Sequence, residues 1–163
     1  MILVGLGGNL PSRYGLPEAG IAAALDTLEA QGVKIVNRSR FYRSAPVPVS
    51  DQPWYVNAVG SVATALSPGE LLALLHRIEA GFGRERRGRN EARPLDLDLL
   101  AYDDRIETGE GGGPVLPHPR LHERAFVLLP LRDVAPGWRH PMLGRTVEEL
   151  IESLPPGQIA AAL

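Results

Sequence analysis

The sequence predicts an α+β fold in which helices pack on an antiparallel sheet. Its periodic segments follow the order strand, helix, strand, strand, helix, strand, with apolar residues recurring at every second position in the strands and at helical spacing between them. The two halves of this order are about equal in length, which is typical of a ferredoxin-like βαββαβ sheet. Because 163 residues is a usual domain size, we expect one domain over residues 1–163, with helical additions at its C-terminal end.

The first half of the pattern starts with a short apolar run over residues 2 to 6, which predicts a buried strand. Gly7-Gly8-Asn9 follows it and is interpreted as a turn. Residues 17 to 30 show helical spacing, with a proline at the start and Gly32 just past the end. Residues 33 to 42 then alternate as a second strand.

The second half begins after a loop that three prolines define, because proline removes a backbone donor from a sheet. Residues 55 to 66 predict a strand that carries Tyr55 and Asn57 on one face. Ser67-Pro68 with Glu70 predicts the capped start of a helix.

The chain beyond Tyr102 is less regular. Residues 103 to 119 are rich in glycine and proline and predict an extended excursion. Residues 120 to 134 predict short helical pieces interrupted by Pro130, and residues 146 to 154 predict an amphipathic helix. The tail, 155 to 163, carries no pattern that assigns it.

Composition excludes several classes of protein. The net charge of −2 provides no global basic field for nucleic acid or an anionic membrane. No cysteine is present, so disulfides and thiolate metal sites are excluded. The start of the sequence lacks the basic region of a signal peptide, and no apolar run reaches the ~20 residues of a membrane span. We therefore expect a cytoplasmic protein with neither nucleic acid nor membrane as a partner.

The stretch from Leu95 to Leu99 alternates strictly between leucine and aspartate. Alternation of this kind places Asp96 and Asp98 on one face of a strand, with their positions roughly 6.5 to 7 Å apart. Like charges on one face repel, and aspartate is disfavoured in strands, so a positive group should lie opposite them. Alternatively, the two aspartates form only the solvated outer face of an amphipathic strand, with no functional site beside them. Divalent metal and nearby arginines are both candidates for the positive group.

Arginines precede this strand in unusual density. The segment 84 to 93 contains five of them, at positions 84, 86, 87, 89 and 93. Guanidinium groups bind phosphate bidentately, and Mg²⁺ binds a few carboxylate oxygens together with water and substrate phosphates. Arginines beside two carboxylates therefore favour a phosphate and metal site, and phosphoryl transfer as its chemistry.

Four segments in order give the chain a resemblance to a known family. GLGGNL, FYRSAPV with DQPWYVNAV, RPLDLDLL, and LPHPRLHERAFVLLPL resemble the 6-hydroxymethyl-7,8-dihydropterin pyrophosphokinases of folate biosynthesis. The resemblance implies transfer of the β,γ-diphosphate of ATP to the hydroxymethyl group of the reduced pterin, with release of AMP. It also implies the family's ferredoxin-like fold, two Mg²⁺ ions and two small-molecule substrates, and we expect a monomer.

The resemblance also implies roles for individual residues. Asp96 and Asp98 would hold the two metal ions, and the catalytic arginines would be Arg84, Arg86 and Arg93. The pterin would be bound by Asn9, Ser44, Ala45, Val47, Tyr55, Asn57 and Phe126. ATP would be contacted by Glu79, Leu99, His118 and Arg124. His76, His122 and His140 are interpreted as surface or structural residues.

Two departures from the family pattern stand out. Asn90 follows Arg89 where many members carry an aromatic residue, and GEGGG precedes LPHP where the usual sequence differs. Two other classes of function compete with the enzyme: a ferredoxin-like nucleic-acid binder that uses the arginine segment, and a pterin-binding module without catalysis. The low aromatic content, 6%, disfavours the first, and the paired aspartates disfavour the second.

Overall fold

A computed structural model describes residues 1–46, 48–83 and 92–163 of the chain. Its strands are β1 Ile2–Gly8, β2 Lys34–Arg38, β3 Tyr42–Ser44, β4 Tyr55–Ala63, β5 Asp96–Tyr102, β6 Glu107–Thr108, β7 Val115–Leu116 and β8 Ala160–Ala162. The main sheet is antiparallel, with the strand order β5-β1-β4-β3-β8 and with β2 paired to β4 as well. Strands β6 and β7 form a separate hairpin. This arrangement confirms the predicted α+β, ferredoxin-like fold.

Helices cover both faces of the sheet. On one face lie α1 Pro17–Ala30 and α2 Pro68–Gly81, which pack against apolar side chains of β1, β4 and β5. On the other face lie α3 Ala125–Val134 and α4 Val147–Glu152, which pack around Leu3, Val59 and Leu100. Successive strand residues point to opposite faces, so the two cores draw on alternate positions of the same strands.

Capping residues fix where two of the helices begin. The Ser67 side chain accepts from the Glu70 N–H while the Glu70 carboxylate accepts from the Ser67 N–H, as the sequence predicts. Thr146 and Glu149 form the same reciprocal pair at the start of α4. Two orphan N–H donors are satisfied at each helix start in this way.

Several predicted boundaries are wrong. Residues 33 to 42 form two strands, because the chain between them turns toward α3, where the Arg40 N–H donates to Asp133. Strand β1 continues through Gly8 instead of turning at Gly7. Pro130 lies inside α3 and does not interrupt it, since it removes a single helical donor while its neighbours Leu128 and Leu131 are fully buried. The unassigned tail contains β8.

In the described part of the chain, every helix is too short or insufficiently apolar to cross a membrane.

Candidate active site

One large cleft lies at the edge strand β5, lined by residues of β1, β4 and β5 together with residues of α2 and of the start of α3. Its volume is about 1110 Å³, above the roughly 300 to 1,000 Å³ of a usual ligand pocket. Its floor includes Gly7 of β1, which pairs with Asp96 of β5 on one side and with Asn57 of β4 on the other. Because glycine has no side chain, the space between the carboxylate and the amide stays open.

The carboxylates lie where the alternation predicts. Leu95, Leu97 and Leu99 are buried with 0%, 2% and 4% exposure, while Asp96 and Asp98 are half-buried and line the cleft. Arg93 also lines the cleft, and its Nη1 lies 3.4 Å from Oδ2 of Asp96. The predicted positive group beside the carboxylates is therefore present.

Arg93 is held in place by its backbone. The Arg93 N–H donates to Oδ1 of Asn9 at 2.8 Å, and the Arg93 carbonyl accepts from the Asn9 N–H at 2.9 Å. The Asn9 amide donates in turn to the Pro53 carbonyl and to Gln52 at 3.0 and 3.1 Å. Asn9 is buried and is not among the residues that line the cleft. It ties the proline-rich loop to the segment that carries Arg93, and its contact with a pterin stays a prediction.

Gly8 permits this close approach of the two segments. A Cβ at Gly8 would lie 2.4 Å from the Pro94 carbonyl oxygen, so a larger residue would push the two backbones apart.

Three of the predicted site residues, Arg84, Arg86 and Val47, lie outside the described residues, as does Asn90.

Cationic and neutral groups from the chain around α3 face the carboxylates. Burial lowers the pKa of Arg124, and the nearby charge of Asp98 opposes that effect. Burial, followed by the positive charge of Arg124, lowers the pKa of His118 from 6.5 to about 4. His118 is therefore neutral at pH 7. Its Nδ1 accepts from the Arg120 N–H at 3.2 Å, so its Nε2 carries the proton and can donate.

Five of the seven residues predicted to bind a pterin line the same cleft. Ser44, Ala45, Tyr55, Asn57 and Phe126 are all in its wall. The Asn57 side chain is 6% exposed and donates from Nδ2 to the Ser44 Oγ at 2.7 Å, which fixes the orientation of the amide. One amide N–H and the carbonyl oxygen remain for a ligand.

The predicted ATP residues divide into two groups. Leu99, His118 and Arg124 line the cleft. Glu79 does not: it is 1% exposed, and its carboxylate accepts from the Leu97 N–H at 2.8 Å. Glu79 thus supports the strand that carries the two aspartates, and direct contact with ATP stays a prediction.

Sequence reasoning missed several residues in the lining. Leu72 and His76 lie one helical turn apart on α2, so both are on the same face of the helix. This i, i+4 spacing is the sequence pattern that could have predicted their shared position in the cleft. The hairpin segment Gly113, Pro114 and Val115 also lines the cleft, as does Gln158 of the tail. The glycines before Val115 have a structural reason, since Gly109, Gly111 and Gly112 adopt φ values of 82°, 70° and 81°.

The donors available for a metal ion are few. Among residues 1–46, 48–83 and 92–163, no group of three or more histidine, aspartate or glutamate side chains could hold an ion by itself. Asp96 and Asp98 supply two carboxylates. Mg²⁺ is usually bound by one or two carboxylates together with water and substrate phosphates, so this pair fits an ion that binds with a nucleotide.

The fold and the cleft together define a class: a ferredoxin-like domain with a large cleft that combines carboxylates and guanidinium groups with an aromatic and amide wall. Residues 3–136 match the family model described as 7,8-dihydro-6-hydroxymethylpterin-pyrophosphokinase (HPPK). The chain belongs to this family.

Similar proteins are found in several organisms. The chain is 40% identical over 157 residues to the 2-amino-4-hydroxy-6-hydroxymethyldihydropteridine pyrophosphokinase of Methylorubrum extorquens, an alignment that spans 96% of this chain and 94% of that protein. The protein of the same name from Synechocystis sp. is 40% identical, over 93% of this chain and 75% of that protein. Folic acid synthesis protein fol1 of Pneumocystis carinii is 35% identical over 94% of this chain, which spans only 20% of that longer protein.

Solved structures agree in fold. HPPK-DHPS of Plasmodium falciparum, wild type with STZ-DHP, superposes with a TM-score of 0.70 at 15% identity, over 93% of this chain and 42% of that one. The wild type with pteroate gives a TM-score of 0.70 at 14% identity, over 93% and 44%. The chain spans less than half of these solved proteins, and at such identity the likeness shows the fold alone.

Proposed function

We propose that this chain carries out the reaction of its family in the cleft between β5 and the start of α3. As a family member it is an ATP-dependent pyrophosphokinase that transfers the pyrophosphoryl group of ATP to hydroxymethyldihydropterin in folate synthesis. The observation that carries the choice of site is that one cleft holds both the charged residues Asp96, Asp98 and Arg93 and the amide and aromatic residues Asn57 and Phe126.

The charged end suits the phosphates of ATP. Asp96 and Asp98 would hold two Mg²⁺ ions, which would neutralise charge on the phosphates and act as Lewis acids. Arg93 would stabilise charge on the transferring group, and the resemblance adds Arg84 and Arg86 to that role. The Arg93 side chain already contacts Asp96, so phosphate binding next to the carboxylate requires only that this ion pair be shared or exchanged.

Arg124 and His118 face the phosphates from the other side. Arg124 lies in the cleft, where burial lowers its pKa and the nearby charges of Asp98 and Asp96 oppose that lowering. His118 is neutral, and its Nε2–H would donate a hydrogen bond to a phosphate oxygen without adding charge. The pair would therefore bind phosphate oxygens through one charged and one neutral donor.

The polar and aromatic end suits the pterin. Ser44 fixes the Asn57 amide so that one N–H and the carbonyl oxygen can pair with the polar edge of the heterocycle. Tyr55 and Phe126 offer aromatic surface for its flat face. Ala45 would line the pocket beside them, and the resemblance assigns Val47 to the same loop.

The nucleotide base fits the remaining part of the cleft. This part of the wall is formed by Leu72 and His76 of α2, Leu99 of β5 and Val115 of β7, and β5 contacts each of the other two elements. Apolar side chains with a few polar groups are what a planar base requires. The GEGGG segment, although unusual for the family, would thus contribute to base binding by positioning Val115 in the wall of the cleft.

The reaction depends mainly on how the protein positions the two substrates relative to each other. The hydroxymethyl oxygen would attack the β-phosphorus of ATP, the bond between the β-phosphorus and the oxygen bridging it to the α-phosphorus would break, AMP would leave, and the hydroxyl proton would be released. Phosphoryl transfer of this kind depends on alignment and on charge stabilisation far more than on covalent help from the protein. A cleft that holds both substrates is therefore the main requirement.

Product analysis tests this proposal. The chain is incubated with ATP, MgCl₂ and 6-hydroxymethyl-7,8-dihydropterin, and the products are separated by chromatography and identified by ³¹P NMR. We expect AMP and the pterin diphosphate in equal amounts, and little AMP when the pterin is omitted. ADP with a pterin monophosphate, or no pterin-dependent product, would contradict the proposal.

We also propose that residues 1–163 act as one domain and as a monomer in the cytoplasm. Light scattering of the purified chain tests the oligomeric state, and a dimer mass at micromolar concentration would contradict it.

A further inference from the structure

The segment 155 to 163 connects the two walls of the cleft. Its strand β8 pairs with β3, so that Ala160 lies opposite Ser44, and the Ala45 N–H donates to the Ile159 carbonyl at 3.1 Å. Ser44 is the residue that fixes the Asn57 amide. The same segment reaches α3 through Gln158, two residues before the strand begins.

The Gln158 side chain makes two hydrogen bonds to the backbone, one on each side of a single residue. Its Oε1 accepts from the Ala125 N–H at 2.8 Å, and its Nε2 donates to the Glu123 carbonyl at 2.7 Å. The residue between these two backbone groups is Arg124. Arg124 is the N-cap residue of α3 and provides no side-chain cap of its own, so Gln158 satisfies a free donor of the helix start.

We propose that Gln158 is a positioning residue that sets the place of Arg124 and Phe126 in the cleft. The Arg124 guanidinium carbon lies 5.3 Å from the centre of the Phe126 ring, so a shift of this backbone moves the charged group and the aromatic surface together. The proposal rests on the proposed function, in which Arg124 contacts ATP and Phe126 contacts the pterin.

The expected change in KM and kcat depends on whether Arg124 and Phe126 contact the bound substrates, the transition state, or both. Both groups would touch the bound substrates as well as the transition state, so misplacing them weakens uniform binding. Loss of Gln158 should therefore raise KM for both substrates and leave kcat nearly unchanged. A general loss of folded protein would instead lower the apparent kcat and leave both KM values as they are.

Gln158→Met tests the inference at nearly constant side-chain length, because it removes both hydrogen bonds and keeps the packing. We expect KM for ATP and for the pterin to rise about 3- to 10-fold, with kcat within about twofold of the wild type. Gln158→Asn, one methylene shorter, can make at most one of the two bonds and should give a smaller rise. Thermal unfolding of each variant shows that it is folded under assay conditions.

Ile159→Ala is the matched control in the same segment. Its side chain is 57% exposed, and the strand contacts use its backbone carbonyl, so its kinetic constants should equal those of the wild type. Amide hydrogen exchange adds a structural readout: the Ala125 N–H should exchange faster in Gln158→Met and at the wild-type rate in Ile159→Ala.

The outcomes separate this inference from the proposed function. A wild type without pterin-dependent AMP formation would contradict the proposed function and this inference with it. An active wild type, combined with a folded Gln158→Met variant whose two KM values are unchanged, would overturn the inference about Gln158 alone.

Discussion

Gly7 shows how a single residue shapes the pterin end of the cleft. A Cβ at this position would lie 2.7 Å from Oδ1 of Asn57, the atom left free to accept from a ligand. Gly7→Ala should therefore displace the amide and raise KM for the pterin about tenfold, since a buried polar edge left unpaired costs ~1 to 3 kcal/mol. KM for ATP should change little. Steady-state kinetics with each substrate varied in turn checks this.

Gly5 supplies the control for that prediction, two residues earlier in the same strand. A Cβ there would meet the Leu100 side chain at 3.4 Å, which is ordinary contact. Gly5→Ala should therefore keep the wild-type constants. If Gly5→Ala and Gly7→Ala weakened pterin binding equally, the cause would be the strand as a whole, and the specific role of the Asn57 amide would be wrong.

His118 makes stability depend on pH through its buried, neutral state. Its pKa is about 4 in the folded chain and 6.5 in the unfolded chain, so the unfolded chain binds more protons between these values. The free energy of unfolding should therefore fall as the pH drops from 6.5 toward 4. The full shift represents about 3 kcal/mol, and partial solvent access reduces it to about 1 to 2 kcal/mol.

His118→Gln removes this titration. Between pH 7.5 and pH 4.5 the wild type should lose about 1 to 2 kcal/mol more than the variant, measured by urea unfolding without ligands. Parallel losses of stability in the two proteins would show that His118 is not held neutral by its surroundings.

Asp133 illustrates how one element is fixed on another. It lies near the end of α3 and accepts from Nε and Nη2 of Arg40 at 3.1 and 3.0 Å and from the Tyr42 hydroxyl at 2.9 Å. Burial raises the pKa of Asp133, but the hydrogen bonds from Arg40 and Tyr42 outweigh it, so the pKa lies below its usual 3.8. The carboxylate thus joins α3, which begins beside Arg124 and carries Phe126, to β3, which carries Ser44.

Asp133→Asn should lower the free energy of unfolding by about 1 to 2 kcal/mol at pH 7, because charge-assisted hydrogen bonds are replaced by weaker ones. Since the folded pKa is depressed, this stabilisation is present above about pH 4 and is lost at lower pH, so the two proteins should converge there. Asp26→Asn, at an exposed position of α1, is the control and should change stability by less than about 0.5 kcal/mol. An Asp133→Asn variant as stable as that control would contradict this account.

An element can be predicted from the sequence when the interactions that define it involve residues close together in the chain. Strand β5 and the starts of α2 and α4 follow from alternation and from capping pairs a few residues apart. The break between β2 and β3 depends on Asp133, about 90 residues away, and β8 depends on an edge strand that exists only after folding. Pro130 was misleading because burial of the neighbouring leucines outweighs one lost hydrogen bond.

The same distinction holds for the site. Asp96 with Asp98, and Tyr55 with Asn57, follow from parity along a single strand. Gln158 and Asn9 act through backbone groups of distant segments, which no local pattern encodes. The sequence predicts a surface or structural residue at His76, which is indeed exposed but also lines the cleft.

At the scale of the whole molecule, the cleft exists because the two cores use alternate positions of the same strands. Leucines of β5 pack against α2 on one face, while the two aspartates between them point to the other face. On that other face α3 and α4 pack around Leu3, Val59 and Leu100, and the cleft lies beside Gly7 and the two aspartates. Catalytic residues can therefore change without removing a residue from either core.

The rate of AMP formation by Asp98→Asn tests the central claim, that transfer takes place at the two carboxylates of β5. At saturating Mg²⁺, ATP and pterin, we expect kcat to fall by roughly 100-fold or more, because lost phosphate alignment is costly in phosphoryl transfer. Thermal unfolding should be unchanged, and Asp104→Asn, in the exposed turn after β5, should keep the wild-type rate. Asp98→Asn turning over at the wild-type rate would contradict the account.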